Sequence, residues 1–200
     1  MPEGCGSMLL ELYECMKREA AKLSACADRK LVLGEGNTNS PKLVFIGEAP
    51  GANEEQQGRP FVGTAGKNLD ATLHALGCAR NEIFITNLVK VRPVKQNPKT
   101  GRLSNRPPSK EEVTFFAPFL LRELELIRPK CVVTLGNFAL CAITGDKHAT
   151  IGEMHGKLAH VNGKFDLFPL YHPAAAIYNR KLREVMDQDI LELRRVLEGL

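Results

Sequence analysis

The residues best suited to chemistry in this 200-residue chain crowd the stretch from Gly47 to Leu69, GEAPGANEEQQGRPFVGTAGKNL. Gly47, Gly51, Gly58, Gly63 and Gly66 permit sharp turns or a close approach of backbone to a ligand. Three acids, Glu48, Glu54 and Glu55, share the stretch, and Phe61-Val62 stands in its middle as a lone apolar dipeptide. Backbone N–H groups opening the helix-like run that follows could meet an anion. The combination reads as an active-site loop. Solvated acids and an ordinary core phenylalanine are the plainer alternative.

The elements that must position these residues follow from hydrophobic pattern. KLVFIGE (42–48), IFITNLV (83–89), CVVTLG (131–136) and FDLFPLYH (165–172) are short apolar runs of the kind that form buried parallel strands. Helical patterns occupy about 7–26, 65–78, 109–127, 137–143 and 181–198, the last with an apolar stripe through Leu182, Val185, Met186, Ile190, Leu193 and Leu197. Strands alternating with helices predict a three-layer α-β-α sandwich around a mainly parallel sheet, in a single domain spanning 1–200 with its core over about 34–198. Ligands of such sheets bind beyond the carboxyl ends of the strands. Four segments therefore gain interest together: GEAPG, the turn beginning at Thr86-Asn87, LGN at 135–137, and Tyr171-His172-Pro173.

The connector RPVKQNPKTGRLSNRPPS (92–109) carries Arg92, Lys95, Lys99, Arg102 and Arg106 and no acid. A solvated, mobile connector and a phosphate-tracking surface fit it equally. The net charge of +4 permits a polyanionic partner without demanding one. No apolar run approaches membrane-spanning length, and the N-terminus lacks the pattern of a signal peptide, so a cytoplasmic protein without membrane contact is expected. The six cysteines form no C-x-x-C pair. Disulfides are not expected in that compartment, and structural zinc favours tight ligand pairs that are missing here.

The pattern GEAPGxxEExxGxPFVGxAGxxL resembles the first motif of the bacterial and archaeal family-4 uracil-DNA glycosylases. ITNLVKVRP resembles their second motif, LGNFA an internal strand–helix segment, and YHPAAAIYNRKLR their final motif, in the same order over nearly the whole chain. The resemblance implies a four-stranded parallel sheet between helical layers. It also implies a monofunctional glycosylase, monomeric, that flips uracil out of DNA and hydrolyses its bond to deoxyribose. On this resemblance Gly47, Ala49, Phe61 and Asn87 bind uracil. Phe61 stacks on the base, a contact worth about 1–3 kcal/mol, and the Asn87 amide offers one donor and one acceptor to O4 and N3–H. His172 donates to the charge growing on O2. Of the carboxylates, Glu54 is assigned to the water and Glu48 to organising the site. Ala49 stands where a related glycosylase family has Asp. Ile177 or Tyr178 is the wedge that fills the gap in the stack. Arg180 beside it, with the cations of 92–109, meets phosphates.

Most family-4 enzymes hold an iron–sulfur cluster on four cysteines. Cys26 matches one N-terminal position, but it has no C-x-x-C partner. The third position is Val91 and the fourth falls at about Phe116. No cluster, and no other cofactor or metal, is expected. Phe115, Phe116 and Phe119, with the enlarged 92–109 loop, would take over its structural role. An inactive DNA-binding relative, or one specific for another base such as hypoxanthine, is the alternative. A small-molecule hydrolase on a doubly wound fold is the more distant rival.

Overall fold

The computed structural model describes residues 4–26, 29–161, 163, 165–175, 179 and 181–200. Ile177, Tyr178 and Arg180 therefore lie outside the described residues.

The centre of the sheet is built on short apolar runs, three of which bury every residue. β1 (Glu35–Gly36) is short; β2 (Leu43–Gly47) and β3 (Phe84–Asn87) are buried throughout. β4 (Val94–Gln96) and β5 (Leu103–Asn105) form a separate hairpin. β6 (Cys131–Leu135) is again wholly buried, and β7 (Ala159–Val161) and β8 (Phe165–Leu170) complete the main sheet in the order β1-β3-β2-β6-β8-β7. The inner four strands are parallel, while β1 and β7 pair antiparallel at the two edges. The expected parallel quartet is present, enlarged to six by edge strands of two and three residues. Short edges of this kind leave little unpaired backbone to recruit another chain.

Seven helices are described: α1 (Gly4–Ala20), α2 (Ala52–Gln57), α3 (Thr64–Leu76), α4 (Lys110–Ile127), α5 (Asn137–Thr144), α6 (Ile151–Met154) and α7 (Leu182–Gly199). The strand period of two divides the core. Val44 and Ile46 face a cluster containing Leu9, Met16, Phe116, Leu120 and Leu140, under α1, α4 and α5. Leu43 and Phe45 face the other, with Leu69 and Leu73 of α3 and Leu193 of α7. Helix α1 stops at Ala20 rather than running to 26, and the chain then turns so that Cys26 enters the first cluster.

Segment 92–109 is not a plain loop, because β4 and β5 pair through Val94↔Asn105 and Gln96↔Leu103. Arg106 ties this hairpin to α4 by two bonds to Glu112, of 2.7 and 2.8 Å. Glu112 in turn caps α4, accepting from Ser109 N while Ser109 Oγ accepts from Glu112 N.

Candidate active site

β2 sends its chain towards β3 on one side, and β6 sends its chain towards β8 on the other. Adjacent strands whose connections diverge open a crevice at their carboxyl ends. A cleft of about 360 Å³ lies there, lined among others by Ala49, Glu54, Phe61, Asn87, Asn105 and His172.

The parallel register sets Gly47 beside Asn87. Gly47 is the floor on which two side chains meet. A Cβ there would lie 2.4 Å from Asn87 Oδ1 and 2.5 Å from Phe61 Cζ. Only glycine leaves that space open. Asn87 is 2% exposed, and its side-chain amide has no hydrogen bond among the described residues. A buried amide of this kind keeps its donor and acceptor for a ligand.

His172 follows β8, and its ring centroid lies 6.3 Å from that of Phe61 at an interplanar angle of 31°. Its Nδ1 accepts from Ala174 N at 3.2 Å. The neutral ring therefore carries its proton on Nε2, as a donor. Burial holds its pKa below the usual imidazole range, which favours that neutral form.

The two glutamates sit differently. Glu54, in α2, is 8% exposed. Its Oε2 accepts from Gly51 N at 3.1 Å, and its Oε1 accepts from Val62 N and Gly63 N at 3.0 and 2.7 Å. It braces the loop that carries Phe61. Glu48 makes no side-chain hydrogen bond among the described residues, and burial raises its pKa above the usual carboxylate range.

Of the cations in 92–109, Arg92 is committed to Asn105 Oδ1 (2.7 Å) and Glu55 (3.2 Å), and Arg106 to Glu112. Lys95, Lys99 and Arg102 are exposed on the hairpin, with no ion pair among the described residues.

Several contributors escaped the sequence reading. Asn105 reaches the cleft from β5. Lys90, in the second motif, is 1% exposed and donates to Glu123 Oε2 at 2.7 Å and to Thr86 Oγ1. Tyr13 OH donates to the other oxygen of Glu123 at 2.5 Å. The paired ammonium of Lys90 thus anchors the end of β3 where Asn87 emerges. A lysine inside an apolar motif was the available signal.

The positions matched to cluster ligands do not fit an iron–sulfur centre. Cys26, Val91 and Phe116 are buried in one apolar cluster. At C-x-x-C spacing from Cys26 stands Arg29, which pairs with Glu55 at 3.6 Å. Burial, foremost, pushes the Cys26 thiol up to about 11. Phe115 meets Phe116 edge-on, centroids 4.8 Å apart, and Phe119 at 5.3 Å. No group of three or more metal-binding side chains occurs among the described residues. Nor is any described helix long and apolar enough to cross a membrane.

A cleft floored by glycine and walled by an aromatic ring, a free amide and a neutral imidazole has the shape and the donors and acceptors to receive a flat, uncharged heterocycle with hydrogen-bonding edges. Residues 33–194 match the family model described as the uracil DNA glycosylase superfamily. A type-4 uracil-DNA glycosylase of Saccharolobus solfataricus is 38% identical over 196 residues, covering 94% of this chain and 84% of that one. One of Archaeoglobus fulgidus is 35% identical, covering 96% and 92%. Among solved structures, wild-type Pedobacter heparinus SMUG2 superposes with a TM-score of 0.53 at 13% identity, over 80% of this chain and 76% of that one, a likeness of fold alone. The chain belongs to the uracil-DNA glycosylase superfamily.

Proposed function

We propose that this protein is a uracil-DNA glycosylase, which takes uracil from DNA into the cleft and hydrolyses its N-glycosidic bond, initiating base excision repair. Membership of the superfamily and the type-4 relatives support the activity. The observation that carries the site is the meeting of Phe61 and Asn87 over Gly47, with His172 close by.

In this reading the extruded base stacks on Phe61, as any enzyme working on a base inside a duplex must first remove it from the stack. The Asn87 amide pairs with O4 and N3–H. Cytosine, with an amino group at C4 and no N3–H, presents the opposite pattern. As the C1′–N1 bond breaks, its electron pair passes to uracil and charge gathers on O2. His172 Nε2–H donates to that oxygen, and preorganised donors of this kind contribute about 3–4 kcal/mol each. Water adds to C1′ and gives up a proton.

The carboxylate for that proton is reassigned from Glu54 to Glu48. Both oxygens of Glu54, which lines the cleft, are occupied by backbone N–H groups, whereas the Glu48 carboxylate, not itself among the lining residues, has no side-chain hydrogen bond among the described residues. Phosphate contacts are assigned to Lys95, Lys99 and Arg102, because Arg92 and Arg106 are engaged within the protein. No iron–sulfur cluster takes part: apolar packing around Phe116 and the Arg29–Glu55–Arg92 bridge stand in its place.

Labelled oligonucleotides containing uracil or hypoxanthine, followed by alkaline cleavage of abasic sites, test the activity. Uracil release is expected, with losses of about 100-fold or more in Asn87→Ala and His172→Ala. Release of hypoxanthine alone would overturn the substrate assignment. Iron in stoichiometric amount in the purified protein would overturn the cluster-free reading.

A further inference from the structure

Phe61 has φ +53°, in the left-handed region that bulky side chains rarely occupy. Strain of this kind persists only where the surroundings impose it, and it gathers at functional sites. Here three contacts impose it. Glu54 holds the N–H groups of Val62 and Gly63. Helix α3 presses from below at Gly66, where a Cβ would lie 1.9 Å from the Phe61 carbonyl oxygen. That same oxygen accepts from Arg80 Nη2 at 2.5 Å.

Arg80 is itself aimed. Its Nε donates to Asp70 at 2.7 Å and its Nη1 to Glu35 at 3.1 Å, so each guanidinium nitrogen has one acceptor. The planar fork of arginine suits such a three-way arrangement, and an ammonium does not. Arg80 is not among the residues lining the cleft.

We propose that Arg80 is a positioning residue for uracil recognition: aligned by Glu35 and Asp70, it clamps the Phe61 carbonyl and holds the ring in the orientation that receives the flipped base. This rests on the reading of Phe61 as the stacking platform. Without the clamp, the 60–63 backbone relaxes towards extended conformations. The fraction of molecules with a competent platform then falls, and the apparent affinity falls in proportion. The cost of the left-handed well sets that factor at about 5- to 30-fold. The loss falls on binding, because bound uracil selects the competent form before the bond breaks.

The experiment is a double-mutant cycle read by free uracil as a competitive inhibitor, alongside KM and kcat on a uracil-containing oligonucleotide. Arg80→Ala is expected to raise Ki and KM about 5- to 30-fold with kcat unchanged, and Arg80→Lys to fall between it and the parent. In a Phe61→Ala background the Arg80 change should add nothing. An equal increment in both backgrounds, or a loss of kcat with Ki unmoved, would show a merely structural role and overturn the proposal. Should Phe61→Ala itself leave uracil inhibition intact, the platform reading falls and Arg80's role falls with it. Arg80→Lys carries the same cycle if Arg80→Ala does not fold.

Discussion

Replacing Gly47 by alanine isolates the geometry of the cleft from the stability of the fold. The new methyl would stand 2.4 Å from Asn87 Oδ1, 2.5 Å from Phe61 Cζ and 2.9 Å from Phe61 Cε2, where ordinary contact begins at 3.4 Å. Both side chains must therefore retreat by about 1 Å. Neither has easy room, since Asn87 is 2% and Phe61 5% exposed. A misplacement of about 1 Å in a positioned site costs roughly 100-fold in rate. The fold loses much less. Gly47 lies in an extended strand, so alanine brings no left-handed strain. Overpacking costs about 1–3 kcal/mol, partly offset by about 0.4–1 kcal/mol from a less flexible unfolded chain. At about 2–4 °C per kcal/mol for a chain of this size, Tm should drop by only a few degrees. Single-turnover uracil release and a thermal melt, measured on the same preparation, check both halves. Near-normal release by Gly47→Ala would refute the reasoning, because it would mean that the two side chains do not meet over that residue during the reaction.

Other perturbations probe separate parts. Lys90→Met leaves the carboxylate of Glu123 buried without its cation and should cost about 3–5 kcal/mol in urea unfolding; adding Glu123→Gln should recover much of it, and a neutral single mutant would contradict the pairing. In the proposed mechanism Glu48 and His172 both work in their deprotonated forms. Burial moves the first up from 4.5 and the second down from 6.5, so kcat/KM should fall below neutrality in a limb bounded by those values. That limb should steepen to a slope of two, with Glu48→Gln retaining a slope of one. The triple variant Lys95→Ala/Lys99→Ala/Arg102→Ala should reduce the salt dependence of duplex binding by about 2.7 in log–log slope, at roughly 0.9 per phosphate contact. An unchanged slope would remove the hairpin from the DNA interface.

The legible parts of the sequence were those where local pattern and tertiary environment coincide. β2 and β6 bury both faces, so their five-residue apolar runs announce themselves. β1 and β7 owe their existence to neighbours, and two or three residues carry no period to detect. The β4–β5 hairpin was hidden for a different reason. Its residues are largely exposed on both faces, so the alternation that marks a half-buried strand is absent. Phe61, Asn87 and His172 are legible through the resemblance of their motifs to the family's, and the structure places them together. What each glutamate does is not legible, since two of the three amides that occupy Glu54 belong to residues eight and nine positions away. Arg80 lies nineteen positions from Phe61, and no spacing rule links a guanidinium to a distant carbonyl.

The parallel pairing of Gly47 with Asn87 also bears on when the protein becomes competent. The two residues stand on different strands joined through α2 and α3, and His172 follows the last strand of the main sheet, 111 positions beyond Phe61. Contacts so remote in sequence form only after long loops have closed, and parallel pairing is slow for that reason. A nascent or half-collapsed chain accordingly has strand-like fragments but no place for a base. Base removal is therefore expected only once the sheet is complete, which would keep partly folded molecules from stripping bases from DNA.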